Sequence, residues 1–515
     1  MRPIRLDFGF SDRRLEETPC GESPSTVKHL FLAVFVGLVG ASLATWLSMP
    51  GMRSDVPVIY WVTDPNPARV EQVALFHQWM EKNGYPRCEL RVDTANNTDQ
   101  KKLIQGVSGV GGEIMDVGTT MRYLNAVGLL EDVTEAARKL GCDPSKTYPA
   151  LESQIAIDGR QYLFPCNVFV QLYWVNKSLF RKYGLPLPPK TWDFETFERL
   201  GRQFVQAANR SADRLTVFFA DRAQPPLVDI MRRSLGLSIF NETGTGCALD
   251  DPRHARVLRL ILKWTKDDHI LPSAADEASF SVEAGYGGAV FQLFNSGNYA
   301  MIRSGRHVLI QLREFGRLEL GVSHLPCAQL DNTLIQTRAA AVYRGASPQR
   351  KSLAEYFQAF LDSEEYNLHI VKDADGLPPD PQYTRIEAFL RPPDYPNEWG
   401  CHEAFAEAAR TIAIAPSFSP FVLDTVVNRI EIETLDAVLA GLYSPEEAVR
   451  LEAQRIQREI ELCLSETPSL QARFQELLAR QQEIDRRLAE GKKIPLGWIE
   501  NPFHARYYAE KGLVE

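Results

Sequence analysis

Between Val56 and Val117 the hydrophobic pattern changes period again and again, and a chain that does this is confined to alternating strands and helices. Val56 to Val62 ("VPVIYWV") reads as a buried strand, and Pro67 to Lys82 as an amphipathic helix with Val70, Val73, Phe76 and Met80 on one face. Cys88 to Val92 is a second strand, 97–107 a second helix, and Ile114 to Val117 a third strand. Such short-spaced alternation predicts an α/β fold built on a mostly parallel, doubly wound sheet.

The next informative stretch is "LYWVNKSLFRKYGLPLPPKTWDFETF", Leu172 to Phe197. The β-branched and aromatic run Val168 to Val175 predicts one strand, and Asn176 is placed to cap a short helix that Gly184 ends in the left-handed region. Pro186, Pro188 and Pro189 hold an extended corner, after which Thr191 caps the following helix with Asp193 in its first turn. Further strands are expected at Leu215 to Phe219, Tyr299 to Arg303 and Ala339 to Tyr343, with a helix from Ser352 to Ser363. Ser444 to Leu464 opens on Ser-Pro-Glu-Glu, an N-cap, a proline at the first helical position and two carboxylates at the positive dipole end.

At 515 residues the chain exceeds one ordinary core, so two or three domains, or two lobes of one, are expected. Its net charge of -9 is dispersed and no basic block exceeds a few residues, which argues against a nucleic-acid partner. Eight cysteines lie far apart without a Cys-x-x-Cys pair, against a structural zinc or a dithiol redox site; an oxidising compartment would allow one or two disulfides.

Leu30 to Met49 carries no charge over twenty residues, long enough to cross a bilayer as a helix. The expectation is an uncleaved signal anchor (30–49) behind a cytoplasmic arm (1–29), with cleavage after Ala44 as the alternative. At the other end Leu470, Phe474, Leu477, Ile484 and Leu488 form one narrow apolar stripe, expected to dock on the protein's own body, a coiled coil or partner role being the alternative. Ile494 to Tyr508 reads as an aromatic strap.

Catalytic motifs are absent. His402-Glu403 starts a zincin-like pattern with no second histidine, and Gly106 to Gly112 lacks the Lys-Ser/Thr end of a phosphate loop. No cofactor is called for. Binding is better supported, because alternating folds hold ligands at the carboxyl ends of their strands. That rule selects Trp61, Thr63 and Asp64; Thr119 and Thr120; Asn167 and Phe169; Asp221 and Gln224; Arg306 and His307; and Phe418. Aromatic faces stack on sugar C–H faces, while Asp, Asn, Gln and Arg bond hydroxyls. Each position also has a structural reading: Asp64 as a cap, Trp61 as core, and neighbouring Asp116 as structural.

Taken in order, these pieces resemble the extracellular solute-binding proteins of ABC importers, in the carbohydrate-binding group related to maltose-binding protein. "DGRQYLFP" with the 172–197 stretch is similar to that family's Asp-Gly, Pro, Tyr-x-Asn-Lys and Pro-Pro-x-Thr-Trp series. "IMDVGTT", "GLLEDVT", "FNSGNYAMIRSG" and "SPEEAVRLEAQRIQREI" resemble its later segments, with departures at Met115, Val175 and Arg306-His307. The resemblance implies a two-lobed periplasmic binding protein of type II fold. Its first lobe would comprise 55–166 and 335–410, its second 167–334 and 411–464, with a helical extension over 465–515. It implies capture of a carbohydrate for an ABC permease without chemistry; a membrane-anchored ligand sensor or a secreted hydrolase are the alternatives.

Overall fold

The computed structural model describes residues 29, 33–40, 42, 55–210, 214–280, 288–316 and 318–515. The chain divides into an N-terminal unit, Met1–Asp55, and a unit from Val56 to Glu515. In the first, residues 33–40 are helical, and Val34, Phe35, Val36, Leu38 and Val39 are all exposed. No helix among the described residues is long and apolar enough to cross a membrane. The remainder of the expected anchor, the Ala44 cleavage point and nearly all of the arm lie outside the described residues.

The second unit is organised by two sheets. Strands β1 (Val58–Val62), β2 (Glu89–Asp93) and β3 (Ile114–Val117) are joined by β6 (Leu163–Val170), β10 (Thr333–Val342) and β11 (Ala413–Ile414). Their order is β11-β10-β3-β1-β2, with β6 also on β10. The short strands β4 (Ala156–Ile157) and β5 (Arg160–Gln161) form a separate hairpin. The second sheet places β7 (Leu172–Asn176) between β8 (Met301–Ser304) and β9 (Leu320–Ser323).

The expected parallel sheet is only partly realised. β1 is parallel to β2 and β3, but β10 runs antiparallel to both β3 and β6, and every pairing of β7 is antiparallel. Leu215 to Phe219 forms no strand and contributes one bridge, Phe218 to Tyr299. Its apolar side chains are spent on the core under the second sheet, where Phe197, Phe219 and Trp264 meet.

Nor is Val168 to Val175 one strand. It breaks at Gln171, with β6 in the first sheet and β7 in the second. The Gln171 N–H donates to the Leu334 carbonyl, and Thr333 Oγ1 donates to the Gln171 carbonyl, so the crossing is tied to β10. The chain passes between sheets twice more, between β9 and β10 and after β11. Beyond β11 it enters helix Asp424–Leu439, which packs with Arg253–Lys266 and Pro445–Glu466.

Adjacent residues of β7 face different cores: Tyr173 joins the cluster with Phe197 and Trp264, Trp174 the one with Phe294 and Phe405. In the first half Trp61 and Phe76 lie on one face of the sheet, and Met115 and Leu163 on the other. This is the alternation a two-sided sheet requires.

Local caps differ from expectation in detail. Asp193, not Thr191, caps helix Phe194–Ala208, accepting from Thr196 N at 2.8 Å, and Asn176 makes no side-chain cap bond. Gly184 does adopt the left-handed conformation, and Ser444 does cap Pro445–Glu466. In helix Ala68–Lys82 Val70 is exposed, while Arg69 and Gln72 turn inward with Phe76 and Met80.

The stripe of the extension docks on the body, as the sequence suggested. In helix Gln471–Ala489 Leu477 and Ile484 are fully buried, and Phe474 meets Phe421 edge-on with centroids 5.0 Å apart. The strap ends in helix Pro502–Glu510, and Asn501 ties it down by donating to Ser238 Oγ at 2.9 Å and the Phe240 carbonyl at 3.0 Å. The seven described cysteines are all free; burial pushes the Cys142 and Cys401 thiols up to about 12, so they pack as apolar groups.

Candidate functional site

Where β1, β3 and β10 of the first sheet end or cross, charged groups collect beneath the surface. Asp116 on β3 accepts from Trp61 Nε1 at 2.6 Å, from Thr63 Oγ1, and from Arg338 Nη1 at 2.6 Å. Arg69 donates to Asp64 at 2.7 Å and to Asp375 at 3.0 Å. Both guanidiniums lie near the Trp61 ring, at 5.8 Å for Arg69 and 5.7 Å for Arg338. Burial opposes charge on Arg338, yet Asp116 holds its proton well above the usual range. Burial likewise raises the Asp64 carboxyl, but Arg338 and Arg69 outweigh it and keep it low.

The network fixes Trp61, Thr63 and Asp116 as parts of the first half's frame. Trp61 and Thr63 are fully buried, so neither presents a face to a ligand; Asp64 keeps about a third of its side chain exposed. Asn167 is also fully buried, and both polar atoms of its amide lack partners, as does the hydroxyl of Thr120. Phe169 is half-buried and meets His307 edge-on at 5.2 Å. Burial lowers the His307 pKa, keeping the ring neutral.

Arg306 has a different role from the one its position suggested. It is buried and donates to the carbonyls of Ile370, Val371 and Gly376 and to His402 Nδ1, which occupies four of its five N–H donors. Phe418 is buried beneath the Arg122 guanidinium, 4.5 Å from its ring centre. Both serve packing.

On the second half, Asp221 accepts from Arg303 N at 3.0 Å, and burial pushes its carboxyl up to about 6. Arg303 also donates to Gln224 at 3.0 Å and to Gln171, the crossing residue. Gln224 is exposed and precedes helix Pro225–Ser234.

The two halves face each other across a cavity of about 270 Å3. Thr119 lines it from the loop after β3, Gln336 from β10, Asp229 from helix Pro225–Ser234, and Asp424 and Glu431 from helix Asp424–Leu439. Thr119 hydrogen-bonds Asp424 across the gap. Of the residues selected from sequence, only Thr119 lines this cavity, and Gln224 adjoins it through Pro225. The others missed by sequence are the acidic groups and Gln336. A glutamine and an arginine inside the apolar strand "TLIQTRAAAV" were the available signal for Gln336 and Arg338. Asp424 and Glu431 look like ordinary helix-surface carboxylates.

This two-sheet α/β architecture, with three passages between halves and a cavity between them, is that of the sugar-binding ABC solute-binding proteins, as the sequence resemblance implied. Residues 73–203 match the family model described as bacterial extracellular solute-binding protein, a family of binding proteins and not of enzymes. No curated protein sequence matches the chain.

Among solved structures, an ABC substrate-binding protein from Listeria monocytogenes in complex with cycloalternan is 20% identical with a TM-score of 0.66, covering 79% of this chain and all of the other. The cyclic alpha-maltosyl-1,6-maltose binding protein of Arthrobacter globiformis is 16% identical with a TM-score of 0.63, covering 79% and 99%. UgpB from Mycobacterium tuberculosis, in complex with glycerophosphocholine, is 13% identical with a TM-score of 0.62, covering 80% and 99%.

Proposed function

We propose that the protein captures a carbohydrate outside the cytoplasm in the cavity between its two halves and hands it unchanged to an ABC permease. The observation that carries this reading is the cavity itself, walled by Thr119 and Gln336 on one side and by Asp229, Asp424 and Glu431 on the other. Hydroxyl-rich ligands suit such a lining, because each carboxylate and amide accepts from a sugar O–H. A ligand touching both walls stabilises the closed arrangement by its differential affinity, which is the basis of closure by population shift.

Asp64, Thr119, Thr120, Asn167, Phe169, Asp221, Gln224 and His307 are the sequence-selected residues that this reading retains around the cleft. The lobes are 55–166 with 335–410 and 167–334 with 411–464, and 465–515 is the extension. The apolar segment 30–49 anchors the protein with its binding unit facing the periplasm or cell exterior. The ligand of UgpB is not a sugar, so the fold by itself does not fix the solute.

A thermal-shift screen of oligosaccharides, polyols, amino acids and phosphodiesters tests this, since a ligand that binds only the native state raises the melting temperature by mass action. A concentration-dependent rise with a carbohydrate is expected. A rise only with an amino acid or anion overturns the substrate class.

A further inference from the structure

Away from the cavity, a buried histidine of the first half stands between two carboxylates. His369 and Asp373 are four residues apart on helix Glu364–Asp373, so both project from one face of it, and that helix packs on helix Ala68–Lys82, which carries Glu71. His369 Nε2 lies 3.1 Å from Asp373 Oδ2, and the other ring nitrogen lies 3.7 Å from Glu71 Oε1. One ligand atom from each of the three residues falls within 4.8 Å of the other two.

The state of the imidazole is an independent sign. Its side chain is 3% exposed, yet Nε2 makes no hydrogen bond: the Asp373 oxygen is near enough but lies off the direction in which a ring N–H would point. Two ligands of one ion have this relation, because the ion takes the ring nitrogen's axis and the oxygen stands beside it. Metal bonds of about 2.1 Å put neighbouring ligand atoms about 3 Å apart. Burial raises the Asp373 carboxyl, His369 pulls it back, and the nearby Glu71 carboxylate raises it again, so the two acids repel each other across the ring.

We infer that Glu71, His369 and Asp373 form a binding site for one divalent transition ion of the zinc class, with water completing its coordination on the solvent side. An imidazole with two carboxylates suits such an ion, whereas magnesium and calcium favour oxygen ligands alone. Glu71 is 56% exposed, which leaves its side chain room to turn the last distance toward the ion. The ion joins two helices about three hundred residues apart in sequence. Arg69 and Asp375, each two residues from a ligand, already join the same segments at 3.0 Å, and Arg69 also holds Asp64. The site is therefore a structural clamp on the frame behind Asp64, and metal affinity there adds directly to folding stability.

The test is thermal unfolding of the chelator-stripped full chain at pH 7 with Zn2+, Co2+, Mg2+ or Ca2+, together with titration calorimetry of Zn2+ on the wild type, Glu71→Gln and His369→Gln. The expected result is a rise in melting temperature with Zn2+ and Co2+ that chelator reverses and that Mg2+ and Ca2+ do not produce, with Zn2+ bound at least tenfold more weakly by each variant. Because Glu71 is exposed, Glu71→Gln keeps the test decisive even where the buried His369→Gln change unfolds the protein. No Zn2+-dependent rise, or an unchanged Zn2+ affinity in either folded variant, overturns the site. An equal rise with Mg2+ or Ca2+ overturns the zinc-class assignment.

Discussion

Arg338 on β10 and Asp116 on β3 form an ion pair of 2.6 Å with both side chains nearly inaccessible, directly beside the Trp61 ring. It ties an antiparallel strand that returns from the other half to the parallel strands that begin the fold. Removing one partner of such a pair leaves an uncompensated buried charge. Arg338→Ala is therefore expected to destabilise the protein by about 3–5 kcal/mol, measured by urea unfolding. Retention of wild-type stability would show that Asp116 finds another partner.

Trp61 and Gln224 separate framework from site. Trp61→Ala removes a fully buried ring that packs on Phe357 at 4.8 Å, and is expected to cost about 3–5 kcal/mol of stability. Gln224 is exposed at the cleft and bonds only Arg303 among the described residues, so Gln224→Ala is expected to leave the melting temperature within a degree or two, about the scale of a surface change. Its effect should appear in ligand affinity, weakened about tenfold, which is about 1.4 kcal/mol. An unchanged dissociation constant in Gln224→Ala removes that residue from the site.

Acid sensitivity follows from His402. Burial, helped by the charge of Arg306, lowers its pKa to about 4 despite the hydrogen bond to Glu398. Between about 4 and the unfolded value near 6.5 the unfolded chain binds more protons than the native one, so stability is complete above 6.5 and declines as pH falls. His402→Gln keeps an acceptor for Arg306 and a donor for Glu398 while removing the titration. The melting temperature of the variant should fall less steeply from pH 6.5 to 4.5 than that of the wild type; parallel curves would refute this assignment.

The C-terminal extension is expected to be structural. Leu477 is fully buried in the core shared with helix Pro445–Glu466, so Leu477→Ala should cost about 2–5 kcal/mol, read by thermal or urea unfolding. Were the stripe held in reserve for a partner, the same change would leave the isolated protein's stability untouched.

Glu500 gives the extension a second function. It accepts from Arg122 at 2.7 Å on the first half, while also lying 3.3 Å from Arg473 and 3.4 Å from Arg480 of the extension. Since the extension's helix packs on the core of the second half, Glu500→Ala cuts a link across the cleft. Small-angle scattering of the ligand-free variant should show a larger radius of gyration than the wild type; identical profiles would mean that the link bears no load.

The sequence by itself determined the elements whose identity is written in local patterns. Period-2 and period-3.6 runs fixed β1, β2, β3 and the helices between them, and Gly184 and Ser444 ended and began helices through their own backbone and side-chain preferences. The order of those pieces was enough to point to the two-lobed fold. Tertiary structure decided what depends on distant partners. Val168 to Val175 is uniformly strand-like, and only pairing with β10 on one side and with β8 and β9 on the other breaks it at Gln171. Val70 and Arg69 exchange their expected places because Asp375, three hundred residues away, supplies the charge that lets an arginine go inside. The acidic lining of the cavity is invisible in sequence for the same reason: Asp229, Asp424 and Glu431 are unremarkable carboxylates until folding places two helices against one cavity.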